Sequence, residues 1–312
     1  MLYNASRAKV HATFISGLYF FGMTAAALTL LMWFSFHVAT TDGFLALIAP
    51  TVIRAQYADA TAAATVSSPF GFSFNSPGTL YETGSESESS SPYFWLNSGG
   101  KLLIQNGIGK TVQGSLTTLD PWRVMYSSMN PLDTGSGYNP QNTLRLVTRS
   151  DWQNVEETLQ FNIKKTNLTN TPNRDGYSGI FLMGRYGNSD NLYYAGIRHD
   201  GAAVIKKKIN GTYYTLVQKQ VFGAEGDYNK TTNPNLIPNN KWMGLRARFT
   251  NQSDGSVKIQ LLLDKNNSGT WTTVLTATDK STGGTPLKNA GALGIRTDFM
   301  DVEFDNFRAE KI

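Results

Sequence analysis

The sequence predicts an all-β domain, a sandwich of two antiparallel sheets, preceded by one N-terminal transmembrane helix. Short runs of alternating apolar and polar residues, separated by clusters of Gly, Asn, Asp and Pro, fill residues 93–312, which is the pattern of strands joined by turns. No amphipathic run of three helical turns interrupts them, so we expect the sheets to cover each other. Near the N-terminal end, residues 12–36 carry no formal charge.

The composition excludes several kinds of chemistry. Of the 312 residues, 40% are hydrophobic and 16% are charged, which is enough apolar material for a packed core. The chain has no cysteine, so disulfides, thiolate metal sites and cysteine nucleophiles are excluded. Its net charge of +5 is spread out, with no basic run beyond residues 206–208, and this predicts no nucleic-acid partner.

The uncharged stretch of residues 12–36 is long enough, as a helix, to cross a hydrocarbon core of roughly 30 Å. Arg7 and Lys9 precede it and Asp42 follows it, which predicts a cytoplasmic N-terminus and an extracytoplasmic remainder. We therefore assign residues 1–54 to a cytoplasmic stub, a transmembrane helix and an apolar extension. The alternative is a signal peptide cleaved near residues 58–64, which would yield a secreted protein.

Residues 55–92 are rich in Ala, Ser, Thr, Gly and Pro, and we interpret them as a flexible linker before a β-domain of residues 93–312. Sequons for N-glycosylation in the part after residue 53 favour an extracytoplasmic glycoprotein. They begin at Asn167, Asn210, Asn229, Asn251 and Asn266.

Two kinds of strand are predicted within the β-domain. Residues 155–163 and 257–264 have one apolar and one polar face, whereas residues 180–186 and 192–197 are apolar on both faces, as in the central strands of a two-sheet stack. The dipeptides Asp200-Gly201 and Asn210-Gly211 predict hairpins that join three consecutive strands. We expect about ten to twelve strands in all.

Four segments near the C-terminal end resemble the concanavalin A-like lectin/glucanase superfamily, especially its laminin G-like jelly-roll branch. They are a strand that starts at Trp242, an alternating strand that ends at Asp264, the segment Gly291-Ala-Leu-Gly-Ile-Arg296, and a closing Phe304-Asp-Asn-Phe307. The resemblance implies a jelly-roll sandwich over residues 93–312. It also implies a structural calcium ion held by Asp305 on the closing strand, since calcium prefers carboxylate and carbonyl oxygens.

Cations and aromatic residues recur on the middle strands, and they predict a basic groove lined with aromatic rings if their faces converge on one sheet. Arginine pairs with carboxylates or sulfates, and tyrosine rings stack on sugar faces. The predicted ligand-binding residues are Arg145, Arg149, Arg185, Tyr193, Lys206 and Lys208.

The predicted function is that of a membrane-anchored, extracytoplasmic carbohydrate-binding module, with an acidic polysaccharide among its candidate ligands. A second hypothesis is a polysaccharide lyase or hydrolase, the lyase being favoured. The resemblance implies Tyr or His as base and Arg as the group that neutralises a uronate carboxylate, and so points to Tyr194, His199 and Arg198. The carboxylates of residues 301, 303 and 305 are the hydrolase candidates. A third hypothesis is a structural or adhesion subunit of a membrane assembly without a sugar site.

Overall fold

The computed structural model describes residues 60–312. The predicted cytoplasmic stub, transmembrane helix and apolar extension lie outside the described residues. Within residues 60–312, none of the helices has the length and apolar character that crossing a bilayer requires.

Strands dominate the described part of the chain. In chain order they are β1 (Phe70–Phe72), β2 (Gly78–Tyr81), β3 (Phe94–Ser98), β4 (Lys101–Gln105), β5 (Ile108–Lys110), β6 (Thr143–Trp152), β7 (Val155–Thr166), β8 (Gly179–Asn188), β9 (Asn191–Arg198), β10 (Ala202–Ile209), β11 (Thr212–Gln220), β12 (Trp242–Asn251), β13 (Val257–Asp264), β14 (Thr272–Asp279), β15 (Gly291–Asp298) and β16 (Met300–Lys311). One α-helix, α1 (Pro121–Met129), and two short 3₁₀ helices, Glu86–Glu88 and Pro140–Asn142, complete the set.

The strands form two antiparallel sheets, as predicted. The nine-stranded sheet has the order β14-β13-β12-β7-β16-β5-β4-β2, with β1 added beside β16. The seven-stranded sheet has the order β11-β10-β9-β8-β15-β6-β3. Fourteen of the described strands, β3 to β16, lie within residues 93–312 and exceed the expected ten to twelve, because β3, β4 and β5 are only three to five residues long and carry too little alternation to be recognised.

The main core lies between the two sheets. Inward-facing residues such as Leu159 and Phe161 of β7, Ile259 of β13 and Tyr193 of β9 are fully buried there. The seven-stranded sheet also carries apolar residues on its other face, where Phe181, Val147, Met183, Tyr194 and Val204 form a second buried cluster. This confirms the prediction that β8 and β9 are apolar on both faces.

The two predicted hairpins are present. Gly201, in the turn between β9 and β10, has a φ of 78°, and Asn210 and Gly211, between β10 and β11, have φ values of 49° and 80°. Positive φ at both Asn210 and Gly211 is what a two-residue hairpin turn of this twist requires, whereas Gly201 is the one left-handed residue of a three-residue connection. Strands β8 to β11 are therefore consecutive neighbours at one side of the seven-stranded sheet.

The structure corrects the boundary between linker and domain. Residues 70–72 and 78–81, assigned to the linker, are strands of the nine-stranded sheet. Phe70 and Phe72 pack against Phe94, with ring centroids 6.4 and 5.1 Å away, and Phe70 also contacts Phe307. These aromatic anchors outweigh the Ser- and Gly-rich composition around them, so the folded domain begins well before residue 93.

Helix α1 was not predicted. Asp120 caps its N-terminus by accepting a hydrogen bond from the backbone N–H of Trp122 at 2.9 Å, and Pro121 occupies the first turn. The helix buries Trp122, Met125 and Tyr126. The Asp-Pro pair is the sequence signal that identifies this helix start.

A buried ion pair joins the two sheets. Lys207 of β10 and Asp279 at the end of β14 have fully buried side chains, and Lys207 Nζ lies 2.9 Å from Asp279 Oδ2. The ammonium also donates to the backbone carbonyls of Thr282, Gly284 and Thr285 at 2.7–3.0 Å. Each hydrogen of the ammonium therefore has an acceptor, as a buried charge requires.

Glu157 is a buried acid of a different kind. It belongs to the inward face of β7, its side chain is fully buried, and no cation within residues 60–312 lies at salt-bridge distance. Burial raises the pKa of Glu157 well above its ordinary value, and the backbone of Gly294 offsets only part of this effect. At pH values between the ordinary and the raised pKa, the folded protein therefore retains a proton on Glu157 that the unfolded chain releases.

We expect Glu157→Gln to change the pH dependence of stability. Above the ordinary glutamate pKa of 4.5, the free energy of unfolding of the native chain should fall by up to about 1.4 kcal/mol per pH unit, until the pH reaches the raised pKa. The amide removes this loss, so the variant should equal the native chain in acid and exceed it at neutral pH. Urea unfolding, followed by tryptophan fluorescence at several pH values from acid to neutral, measures the free energy of unfolding of the native chain and of the variant. Glu225→Gln, at an exposed position, is the control, and parallel curves for native chain and Glu157→Gln would contradict the assignment.

Candidate functional site

Two adjoining clefts lie on the outer face of the seven-stranded sheet, the face turned away from the nine-stranded sheet. We call them the first cleft, of about 280 Å³, and the second cleft, of about 380 Å³. Arg296 and Asp298 line both, so the two clefts adjoin at these residues, and we call the pair of clefts the groove. The first is also lined by Asn173, Asp175, Tyr177, Ser178, Phe181, Tyr194, Lys206 and Tyr213, and the second by Glu82, Asn97, Ser98, Tyr126, Met129, Asn130, Thr143 and Arg145.

Strand register brings the groove residues together. Lys206 of β10 is opposite Tyr194 of β9, and Arg296 of β15 is opposite both Phe181 of β8 and Arg145 of β6. Since side chains alternate between the faces of a strand, these residues share the outer face while their chain neighbours enter the core. The groove therefore crosses the strands, from β10 and β11 towards β3.

Aromatic rings and cations alternate in the first cleft. The ammonium of Lys206 lies 5.6 Å from the ring centroid of Phe181 and 5.9 Å from that of Tyr177. The guanidinium of Arg296 lies 5.3 Å from the ring centroid of Tyr194, and that of Arg198 stacks on Tyr177 at 4.2 Å. At these distances the ring faces attract the cations and hold them in place.

Two tyrosines share one guanidinium in the first cleft. Arg296 Nη1 donates to the hydroxyl of Tyr194 at 3.2 Å and to that of Tyr213 at 2.9 Å, while Arg296 Nε donates to Asp298 at 2.9 Å. Burial raises the pKa of Tyr194 to about 12, although Arg296 opposes the rise. Burial also acts to raise the pKa of Tyr213, but Arg296 and Lys208 outweigh it and lower that pKa below its ordinary value. The two phenols therefore differ in acidity.

The second cleft has mainly polar walls. Arg145 Nη1 donates to Asn97 Oδ1 at 2.7 Å on its strand side. On its helix side, the buried Glu82 accepts hydrogen bonds from the Tyr126 hydroxyl at 2.5 Å and from the backbone N–H of Gly100 at 2.9 Å. Met129, 47% exposed at the end of α1, is an apolar part of the wall.

Several of the predicted residues lie in or beside this groove. Lys206, Tyr194 and Arg145 line it. Lys208 lies at its edge, with its ammonium 4.9 Å from the ring centroid of Tyr213 and 3.3 Å from Asp190. Arg198 contacts the groove through Tyr177 and is engaged by the carboxylate of Asp200.

Three predicted ligand-binding residues lie elsewhere and have internal partners. Arg149 donates to the backbone carbonyls of residues 61 and 91. Arg185, at a left-handed φ of 54°, donates to the carbonyls of residues 288 and 289. Tyr193 is fully buried in the main core, where its hydroxyl donates to Asp279 at 2.5 Å. Period-two alternation explains the last case, because Tyr193 and Tyr194 occupy opposite faces of β9.

His199, a predicted lyase residue, is also inside the protein. Its side chain is 1% exposed, and its ring nitrogens lie 3.2 Å from Asn235 Oδ1 and 3.0 Å from the carbonyl oxygen of Asp298. Burial lowers the pKa of His199. A substrate in the groove has no access to a histidine in this position.

The carboxylates of β16 lie on the opposite side of the sandwich. Because Val302 and Phe304 enter the main core, Glu303 and Asp305 belong to the outer face of the nine-stranded sheet. Asp301, beside a register shift, is buried and accepts hydrogen bonds from Gly114, Gln141 and Asn167. None of the three carboxylates lines the two clefts. Residues 60–312 contain no group of three or more His, Cys, Asp or Glu side chains that could hold a metal ion. Calcium binding by Asp305 stays a prediction.

Sequence reasoning missed Tyr177, Phe181, Tyr213 and Arg296 as groove residues. Two signals could have found part of this set. The Asn210-Gly211 turn fixes a hairpin register in which Lys208 is opposite Tyr213. Arg296 ends the motif that carried the superfamily resemblance, at a position whose side chain must leave the core because Ile295 enters it.

Comparisons with known proteins give similarities among solved structures. The chain is similar to the carbohydrate binding module CBM66 from Bacillus subtilis, with 16% identity and a TM-score of 0.37, over 54% of this chain and 82% of that one. It is similar to winged bean acidic lectin complexed with methyl-α-D-galactose, with 12% identity and a TM-score of 0.45, over 77% of this chain and 96% of that one. The GH43 protein BlXynB from Bacillus licheniformis shows 10% identity and a TM-score of 0.45, over 80% of this chain.

The fold is a sandwich of two antiparallel sheets, in agreement with the predicted fold class. The chain spans 40% of the length of BlXynB. No protein-family model and no curated protein matches the chain. Similarities at these identities and TM-scores carry no argument about fold family or function, so the concanavalin A-like superfamily and its laminin G-like branch stay predictions.

We expect Tyr213 to ionise at lower pH than an ordinary tyrosine. A phenolate at this position is stabilised by Arg296 and Lys208, so Tyr213→Phe should remove the earliest step of the phenolate absorbance titration. Tyr194→Phe should retain an early titration step, although the pH of that step can move, because Tyr194 keeps its proton to about pH 12 and is not the group that titrates there. A titration whose early part is identical in native chain and Tyr213→Phe would refute the assignment.

Proposed function

We propose that the groove binds carbohydrate and that the protein is a carbohydrate-binding module. The observation that carries this proposal is the first cleft, in which the exposed rings of Tyr177 and Tyr213 lie beside the cations Lys206 and Arg296. Sugar rings present apolar C–H faces between polar hydroxyls, and aromatic side chains with nearby donors match both. Tyr213, Lys206 and Arg296 belong to strands that hold them in place, so little entropy is lost when a ligand binds.

The proposal includes a location. The uncharged stretch of residues 12–36, with positive residues before it, supports a membrane anchor with the β-domain outside the cytoplasm. In this arrangement the groove faces glycans of the envelope or of the cell surface. A structural or adhesion subunit without a sugar site is the alternative outcome of the experiment below.

We expect the full chain, in a detergent without a sugar head group, to bind members of a panel of neutral and acidic glycans. Tyr213→Ala and Tyr177→Ala should each weaken binding by about 1–2 kcal/mol, or roughly 5- to 30-fold, because each removes a ring face from the first cleft. Calorimetric titration measures the change, and thermal melts verify folding.

Trp271→Ala is the matched control for loss of an aromatic side chain. Trp271 stacks on Arg246 at 4.2 Å, and Arg246 belongs to the outer face of the nine-stranded sheet. Binding by this variant should equal that of the native chain. Absence of binding to every glycan of the panel would eliminate the carbohydrate-binding proposal.

The shared guanidinium of Arg296 favours polysaccharide lyase as a second candidate function. We propose that Arg296 neutralises a uronate carboxylate while the Tyr213 phenolate removes the adjacent C5 proton. The electron pair of the C–H bond forms the C4–C5 double bond, the C4–O bond breaks, and the leaving oxygen takes a proton from water. The lowered pKa of Tyr213 suits a base, and its side chain is exposed to a ligand, whereas Tyr194 is buried.

Incubation with alginate, polygalacturonate and hyaluronan tests this candidate. The unsaturated product absorbs in the ultraviolet, so we expect absorbance to rise with the native chain. Tyr213→Phe should reduce the rate by about 100-fold or more, because a group that transfers the proton contributes at least this factor. His199→Gln should remain active, since His199 is outside the groove. A flat trace with all three substrates would remove the lyase and leave the binding proposal intact.

A further inference from the structure

Most charged groups of the groove have a partner of opposite charge or a set of donors. Arg296 pairs with Asp298 at 2.9 Å. The remaining carboxylate of the first cleft, Asp175, accepts hydrogen bonds from the backbone N–H groups of Tyr177 and Ser178 at 2.8 and 3.2 Å. Asp298 acts on Lys206 only at longer range, because its direct ion pair is with Arg296.

Lys206 differs from these groups. Among residues 60–312, no carboxylate lies within 4.0 Å of its ammonium, and its contacts are with the ring faces of Tyr177 and Phe181. Burial and the nearby guanidinium of Arg198 both lower the pKa of Lys206, which shows that the surroundings disfavour its charge. An anion bound in the first cleft would relieve both effects.

Arg145 is the second cation of this kind, in the second cleft. It donates to the neutral side chain of Asn97, its Nε is buried without a hydrogen-bond partner, and no carboxylate within the described residues forms an ion pair with it. A guanidinium in this state presents a donor geometry that suits a carboxylate or a sulfate. The two clefts thus each contain one cation without an ionic partner.

The spacing of Lys206 and Arg145 matches a polymer rather than a single sugar. Their strands, β10 and β6, are separated by β9, β8 and β15. Four steps of about 4.8 Å between neighbouring strands place the two backbones roughly 19 Å apart along the groove. Arg296 lies between them, at the place where the clefts meet.

We propose that the ligand is an anionic polysaccharide chain that lies across both clefts, with one acidic group bound by Lys206 and another bound by Arg145. This inference rests on the proposed function and adds the class of ligand and its orientation across the strands. A partly buried cation without a partner is costly, and a ligand that brings the opposite charge repays that cost on binding. A neutral glycan supplies only hydroxyl groups at these two positions.

The experiment compares each acidic glycan with an uncharged counterpart of the same backbone. Alginate, polygalacturonate and hyaluronan are paired with their methyl esters, and sulfated carrageenan is paired with chemically desulfated carrageenan. We expect the full chain to bind at least one acidic member more tightly than its counterpart. The two kinds of pair also distinguish a carboxylate from a sulfate ligand. Because this comparison changes the ligand, it needs no variant that folds.

Variants then test the two positions. Lys206→Met and Arg145→Met should each weaken binding of the acidic polymer by about 10- to 100-fold, the effect expected for one charge-assisted contact. Lys206→Arg should retain most of the affinity. Lys258→Met, on the outer face of the nine-stranded sheet, removes the same charge away from the groove and should bind like the native chain.

The outcomes separate the inference from the proposed function. Equal binding to acidic and uncharged members, or full affinity in both methionine variants, would overturn the anionic chain and leave carbohydrate binding in place. Binding to no glycan at all would overturn both. Loss of affinity in Lys206→Met alone would restrict the ligand to the first cleft and overturn the proposed span.

Discussion

Lys207 and Asp279 hold the two sheets in one register with respect to each other. Neither charge has access to water, so the pair persists only while the three carbonyls of residues 282–285 and the hydroxyl of Tyr193 complete its hydrogen bonds. A buried pair of this kind adds little net stability over apolar side chains of equal volume, but removal of one partner costs about 3–5 kcal/mol. Its main effect is therefore on which register β10 adopts.

This constraint determines the outer face as well. Residues 206–208 are three lysines in succession, and composition alone does not distinguish them. Because Lys207 must enter the core to meet Asp279, Lys206 and Lys208 must leave it, one into the first cleft and the other beside Tyr213. A slip of one residue would reverse all three positions and bury two cations without partners. The groove chemistry thus depends on a contact on the other side of the sheet.

The sequence predicted architecture better than it predicted the site. Alternation and turn dipeptides identified the long strands and the hairpins, since both signals are local. The short strands β1 and β2 were missed, because β1 depends on the contacts of Phe70 with Phe94 and Phe307 and β2 depends on pairing with β4, all outside the local sequence. Of the groove residues, Arg145, Tyr194 and Lys206 were predicted from the local pattern.

Long-range pairing explains the site residues that the sequence did not reveal. Arg296 reaches Tyr194 and Tyr213 only because β15 is inserted between β6 and β8, and no local signal specifies that order. Conversely, Tyr193 and His199 looked suitable by residue type, but burial could only be assigned once strand faces were known.

The position of β15 in the sheet also has a counterpart in the other sheet. Residues 300–311 form β16, which lies between β7 and β5, so the nine-stranded sheet stays in two halves until this strand has left the ribosome. Earlier strands emerge with exposed edges, and completion of the domain belongs to the period after synthesis of this segment.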